Sequence, residues 1–166
     1  MAASVVIKHF TDGSITLKDG TGTPVTLTVP FSAGDLSLSG LAQDALGRAT
    51  NAYESRGTLN SLRRGAREYP TVSFSAHMAD LSDASDRTIV DFLRKKNSYS
   101  ANISTTASTG DVYTVDIVLT VEGTDLGDSA DHTITMEDVD CRIDFAEGEP
   151  NTFTINGTVY GTITPA

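Results

Sequence analysis

The sequence has no tryptophan, one cysteine and only twelve basic residues against twenty-two acidic ones. Each shortage removes a class of protein. Cys141 has no partner for an internal disulfide, so the chain must hold itself together by burial alone. At 166 residues it can bury roughly 68–70% of its unfolded surface, enough for one self-supporting domain over 1–166. A formal charge of −10 argues against general DNA binding, which needs Lys and Arg to neutralise phosphates. The N-terminal Val5-Val6-Ile7 is interrupted by Lys8 and His9, and no other apolar run is longer. The expectation is therefore no secretory leader, no membrane span and no membrane partner.

Zinc and nucleophilic chemistry are equally poorly supplied. His9, His77 and His132 are scattered and lie in no H-x-x-x-H or C-x-x-C spacing. Asp125, Asp128 and Asp131 lack the D-x-D-x-D-G frame and closing Glu of a calcium loop, so they read as solvated turn acids. There is no G-x-S-x-G, and Gly20-Thr21-Gly22 reads as a turn and not as a phosphate loop. Asp138 and Asp140 share a strand face as an exposed acidic strip, not as an acid/base dyad. Asn102-Ile103-Ser104 and Asn156-Gly157-Thr158 match the glycosylation pattern by chance. Cys141 sits among apolar residues and reads as an inert buried thiol. No enzyme activity and no cofactor is expected.

What the chain has in quantity is hydroxyl. Thr supplies 23 residues and Ser 16, a composition suited to strands with uncharged polar faces. Period-two alternation follows. Ile15 and Leu17, then Val25 to Phe31, flank the turn-rich Asp19–Pro24 and predict a β-hairpin. Leu36 and Leu38 alternate with serines, and Val72 to Met78 with Thr, Ser and His. Tyr113 to Val121 gives the longest clean strand within 111–122. Phe153, Ile155, Val159 and Ile163 oppose threonines at the C-terminus. One pattern slips: Ile134 and Met136 are apolar at even positions, whereas Val139, Cys141, Ile143 and Phe145 are apolar at odd ones. A bulge or bend is predicted at Glu137-Asp138. A single helix is predicted over about 83–96, capped by Ser82 or Ser85, with Asp83 and Asp86 at its start and Arg94, Lys95 and Lys96 at its end. Its Ile89, Phe92 and Leu93 form a sheet-facing stripe.

The segment 40–68 shows neither period. Its Arg48, Arg56, Arg63, Arg64 and Arg67 face only Glu54 across 48–67, a net of +4. By contrast, 111–149 carries twelve acids against Arg142, a net of −11. A loop this long inside a compact domain is uncommon. Three readings stand: a solvated loop, a nucleic-acid patch short of interleaved aromatics, or an arm that docks on the acidic surface of another copy.

The order of these features resembles the tail tube proteins of long-tailed bacteriophages. The resemblance is carried by Tyr53-Glu54-Ser55-Arg56-Gly57-Thr58-Leu59, Leu62-Arg63-Arg64-Gly65 and Tyr69-Pro70-Thr71-Val72-Ser73-Phe74-Ser75. It continues through the helix with Asp91-Phe92-Leu93, the strand Tyr113 to Glu122, the acidic strand around Asp138 to Asp144, and Phe153-Thr154-Ile155-Asn156-Gly157. It spans nearly the whole chain. It implies a mainly β fold: two packed antiparallel sheets in a sandwich or barrel, one flanking α-helix and a long inter-subunit loop or arm at 40–68. It also implies a virion structural protein, made in the bacterial host cytoplasm. Such a protein assembles as stacked hexameric rings that conduct genome DNA without specific binding and meets other tail proteins at the tube ends. On this resemblance the lumen-facing acids are Asp116, Glu122, Asp138, Asp140 and Asp144, and the inter-subunit contacts are Arg48, Arg56, Arg63, Arg64 and Arg67. Two other readings fit the same composition. One is another phage ring protein such as a tail terminator. The other is a β-sandwich binding module for carbohydrate or protein, disfavoured for sugar by the missing tryptophan.

Overall fold

The computed structural model describes residues 13–29, 35–41, 48–78, 88–106 and 111–166. Among the described residues, ten strands form two antiparallel sheets, one of eight strands and one of two, with one flanking helix and a single further α-helical turn. The eight-stranded sheet runs β2 (Thr26–Val29), β1 (Gly13–Lys18), β7 (Val115–Val121), β8 (His132–Ala146), β9 (Thr152–Val159), β6 (Thr71–His77) and β3 (Ser37–Ser39). The eighth strand, β10 (Ile163–Pro165), pairs with β8 beside this path. The two-stranded sheet is a hairpin of β4 (Arg48–Ser55) and β5 (Thr58–Arg67).

The long strand β8 joins two layers. Its first part, His132 to Met136, pairs with β7 on one edge, and Ile134 to Met136 with β10 on the other. Its second part, Val139 to Ala146, pairs with β9. Between them the register slips: Val115 lies opposite Val139 and Ile117 opposite Met136, so Glu137 and Asp138 together face Asp116. This is the bulge expected from the phase change, and Asp138 takes φ 54° to accommodate it. The backbone of both bulge residues is bonded on the far side. Glu137 N–H donates to Thr162 O, while Gly161 N–H and Tyr160 N–H donate to the carbonyls of Glu137 and Asp138. A strand that changes layers through a bulge is how sandwich corners are made.

The extra residue keeps both apolar sets on the inside. Ile15, Leu17, Ile117 and Met136 from the first layer and Val72, Phe74, Val139, Ile155 and Val159 from the second lie in one core cluster, each at most 1% exposed. Gly157 is the close-packing point of the second layer. A Cβ there would lie 2.5 Å from Val139 Cγ1 and 2.9 Å from Val72 Cγ1, so only glycine lets the flanking valines fill the space.

Sequence and structure differ at several boundaries. The helix α1 covers Ile89–Arg94, capped by Thr88, whose hydroxyl accepts from Asp91 N–H, and it ends at Lys95 in the left-handed region. Thr88 is already extended, so this helix starts later than the predicted 83. Ser82, Asp83, Ser85 and Asp86 lie outside the described residues, as do Val5 to Ile7, His9, and Pro30 and Phe31. Six residues are too few to hold a helix by propensity. Burial of Phe92 (0% exposed) and Ile89 contributes about 1.5–3 kcal/mol each and exceeds the cap, worth about 1 kcal/mol. The strand expected over 111–122 keeps its ladder only from Val115. Upstream, Thr114 is buried and its hydroxyl meets Ser104 and Thr105 instead. The C-terminal alternation splits into β9 and β10, which serve different parts of β8.

Asp19 fixes the end of the first layer. It is 2% exposed; its Oδ1 accepts from Val25 N–H (2.7 Å) and Thr21 Oγ (2.8 Å), and its Oδ2 from Ile103 N–H (3.2 Å). Burial pushes its carboxyl upward, but the hydrogen bonds from Thr21, Val25 and Ile103 outweigh it and hold the pKa below the ordinary value. Asp19→Ala leaves these donors without their acceptor. It should cost about 3 kcal/mol, read as a lowered urea midpoint with unchanged slope. Because the folded pKa is depressed, the contribution is present above the unfolded pKa of 3.8 and lost as pH falls through the folded value. The gap between wild type and Asp19→Ala should therefore close in acid.

Candidate functional site

Two surfaces carry the charge singled out in the sequence: the outer face of the second layer, and the hairpin. The outer face follows from strand alternation. With Val72, Phe74, Ile155 and Val159 inward, Thr71, Ser73, Ser75, Thr154, Asn156 and Thr158 must point outward. Register aligns them in rows across three strands: Thr71–Thr158–Asp140, Ser73–Asn156–Arg142 and Ser75–Thr154–Asp144. Ser73 Oγ donates to Asn156 Oδ1 (3.0 Å), and Asn156 Nδ2 donates to Asp144 Oδ2 (3.4 Å). A shallow groove of about 490 Å³ crosses this face, lined by Thr71, Ser73, Asp140, Arg142, Asn156 and Tyr160 among others. The face is a hydroxyl and amide carpet with three charges on β8.

The five acids do not form one strip. Asp140 and Asp144 share this face, with Arg142 between them. Asp116 is in the first layer, opposite Lys18 of β1. Asp138 sits in the bulge, its N–H donating to Asp116 Oδ1 at 3.0 Å, and its charge acts on Asp116 together with that of Glu137. Glu122 has left the ladder and stands at the N-cap of a single helical turn, α2 (Gly123–Leu126), after β7. Asp128 and Asp131 fasten the turn beyond. Asp128 accepts from Ser129 N–H and meets His132 Nε2 at 3.2 Å; Asp131 accepts from Gly123 N–H.

The hairpin explains why 48–67 shows no period. Register shifts fall between Arg48 and Thr50 and between Tyr53 and Glu54, each adding a residue to β5. Thr50 faces Arg64, Ala52 faces Leu62 and Glu54 faces Leu59. Leu59, Leu62, Arg64 and Arg67 therefore share one face despite odd and even numbers, while Arg63 and Tyr53 lie on the other. Arg56 and Gly57 form the two-residue turn, with φ 52° and 79°, the conformation that suits a hairpin. Arg48 lies directly opposite Arg67, a like-charge pair. Arg67 is drawn aside over the Tyr69 ring (4.6 Å), which contacts Tyr160 at 4.7 Å between centroids. Leu59, Leu62 and Tyr53 are each more than half exposed.

Among the described residues, no group of three or more His, Cys, Asp and Glu is placed to hold a metal. No helix there is long and apolar enough to cross a membrane. Cys141 is unpaired and half-buried, and burial pushes its thiol up to about 12, so it stays protonated at neutral pH. Sequence reasoning passed over Arg142, although its i±2 spacing from Asp140 and Asp144 gave its face. It quoted Asn156, Tyr69, Leu59 and Leu62 only for the resemblance and gave no site role to them or to Tyr160. The two leucines carried no periodic signal because the bulges erase it.

No protein-family model matches the chain, and no curated protein does. Solved structures do. The chain shares its fold with the sheath-tube complex of the PVC extracellular contractile injection system in its extended state, at 11% identity and TM-score 0.50. That match covers 92% of this chain and 87% of the other. It also shares its fold with the sheath/tube terminator of the same system, at 11% identity and TM-score 0.51 over 99% and 98%.

Asp116 gives this region a pH signature. Burial raises its carboxyl above the ordinary 3.8, aided by the charges of Asp138 and Glu137, against hydrogen bonds from Asp138 N–H and Thr105. A raised folded pKa means that the folded state binds the extra proton. Stability from this group thus falls as pH rises from 3.8 through the folded value. Asp116→Asn should match wild type in acid and become the more stable of the two toward neutrality, measured as urea midpoints across a pH series.

Proposed function

We propose that the chain is a structural, non-enzymatic subunit of a phage-like tail tube, assembling with itself as stacked hexameric rings that conduct DNA. The observation that carries this reading is the second layer. Its four strands, β8–β9–β6–β3, have an apolar inner face, a polar outer face and two unfilled edges among the described residues. β3 pairs only with β6, and Asp140 to Ala146 of β8 pairs only with β9. Open edges invite strands from other chains, and ring closure removes them. Placed side by side, such layers make a continuous wall, with the first layer and α1 behind it.

In this reading Asp140 and Asp144 face the bore, whereas Asp116, Asp138 and Glu122 do not belong to that lining. On this face Arg142 is flanked by Asp140 and Asp144, so phosphates meet no cluster of positive charge and DNA passes without specific binding; a basic lining would retain it through many summed contacts. The hairpin, with Arg48, Arg56, Arg63, Arg64 and Arg67, makes contacts between subunits. The shared fold with tube-associated injection-system structures supports the same reading. The protein then resides in the virion tail and meets other tail proteins at the tube ends.

Negative-stain microscopy of the purified chain tests this directly. Tubes of fixed diameter are expected; single rings would instead indicate a terminator, and dispersed monomers a binding module. Arg63→Glu with Arg64→Glu should weaken tube formation, most at low salt where charges are least screened. Asp140→Lys with Asp144→Lys should leave folding and tubes intact but retain DNA during ejection, with retention falling steeply as salt rises. Normal ejection through well-formed tubes would remove these two residues from the bore.

A further inference from the structure

The inner side of β8 runs out of the core uncovered. Val139 is 0% exposed, Cys141 and Ile143 are half-buried, and Phe145 is 57% exposed, its ring 5.7 Å from that of Phe153. These four residues are one alternating apolar stripe, and its last part is on the surface of an edge strand. Beyond its end the chain is acidic, with the exposed Glu147 and Glu149 in the turn that follows.

The hairpin carries the complement. Leu62 and Leu59 are 61% and 52% exposed and share the face of Arg64 and Arg67. Spacing matches too. Leu62 and Leu59 lie opposite Ala52 and Glu54, two residues apart on β4, as Ile143 and Phe145 are on β8. Each pair therefore spans about 6.8 Å along its strand. Within one subunit these groups do not cover each other, since Leu59, Leu62 and Phe145 all remain more than half exposed. A two-stranded hairpin by itself is marginal in water, so its apolar face needs a second surface.

We infer that the Ile143–Phe145 end of the β8 stripe is the docking surface for the Leu59–Leu62 face of the hairpin from a second copy of this chain. Hairpin arginines lie against Glu147 and Glu149. Two apolar knobs set the register of the contact, and the opposite charges orient it and exclude the reversed arrangement. The inference rests on the self-assembly reading above and adds the acceptor site.

Paired cysteines test it. In a Cys141→Ser background, Leu59→Cys or Leu62→Cys is combined with Ile143→Cys or Phe145→Cys, giving four variants. Each is oxidised mildly after assembly and run on a non-reducing gel. A disulfide needs Cα atoms within about 7 Å, so at least one pair should link chains into dimers and ladders. Tyr53→Cys with Phe145→Cys, on the other hairpin face, is the control and should link roughly tenfold less. Phe145→Ser should melt like wild type yet raise the protein concentration for half-assembly by roughly tenfold. Tubes that form normally without linkage above the control in any of the four variants would overturn the docking site and leave the tube reading intact. Failure of the unmodified chain to assemble at all would overturn both.

Discussion

Two residues of β8, Glu137 and Asp138, face the single residue Asp116 of β7, and the layered core depends on that mismatch. A strand of period two can bury only one parity of residue. β8 must bury Met136 with the first layer and Val139 with the second, which are opposite parities. The extra residue reconciles them. Without it, every side chain after Met136 would turn over, bringing Asp140, Arg142 and Asp144 inward and Val139 out. The conformational cost falls on Asp138, held at φ 54°, and is offset by its N–H donating to Asp116 and by the bonds the bulge exchanges with the 160–162 connection. Asp116 is thus a fastener of the corner before it is anything else; its half-burial there raises its carboxyl, while the Asp138 N–H it accepts from pulls the other way.

The same device, used twice in the hairpin, has the opposite purpose. Bulges in β5 do not protect a core there; they gather Leu59, Leu62, Arg64 and Arg67 on one exposed face. The result is an amphipathic arm whose leucines stay more than half exposed beside its arginines. The rest of the chain is acidic and, along β8, partly uncovered. Charge polarity along the sequence has become polarity between two surfaces.

The polar face of the second layer shows why threonine and serine are so abundant. Rows such as Thr71–Thr158–Asp140 keep a sheet wettable without covering it in charge, and β-branched side chains suit the pleat. Gly157 lets that layer close tightly from beneath.

Much of this was legible in the sequence. Alternation located β1, β2, β6 and β9, because each has one buried face. The phase slip at Glu137-Asp138 located the corner, because a change of parity has few physical remedies. Composition already excluded a disulfide framework and a broadly basic surface. Other features came only from tertiary structure. Asp138, Asp140 and Asp116 look alike in sequence, but one occupies a bulge, one a polar face and one a half-buried hydrogen bond. That outcome depends on which strand lies beside each. The hairpin at 48–67 was unreadable because two inserted residues destroy the period by which strands are recognised. Which residues must be buried is written in the side chains one by one, since water rejects each apolar group wherever it stands. Which exposed residues stand together is not, since strand register and the partners each edge finds set that.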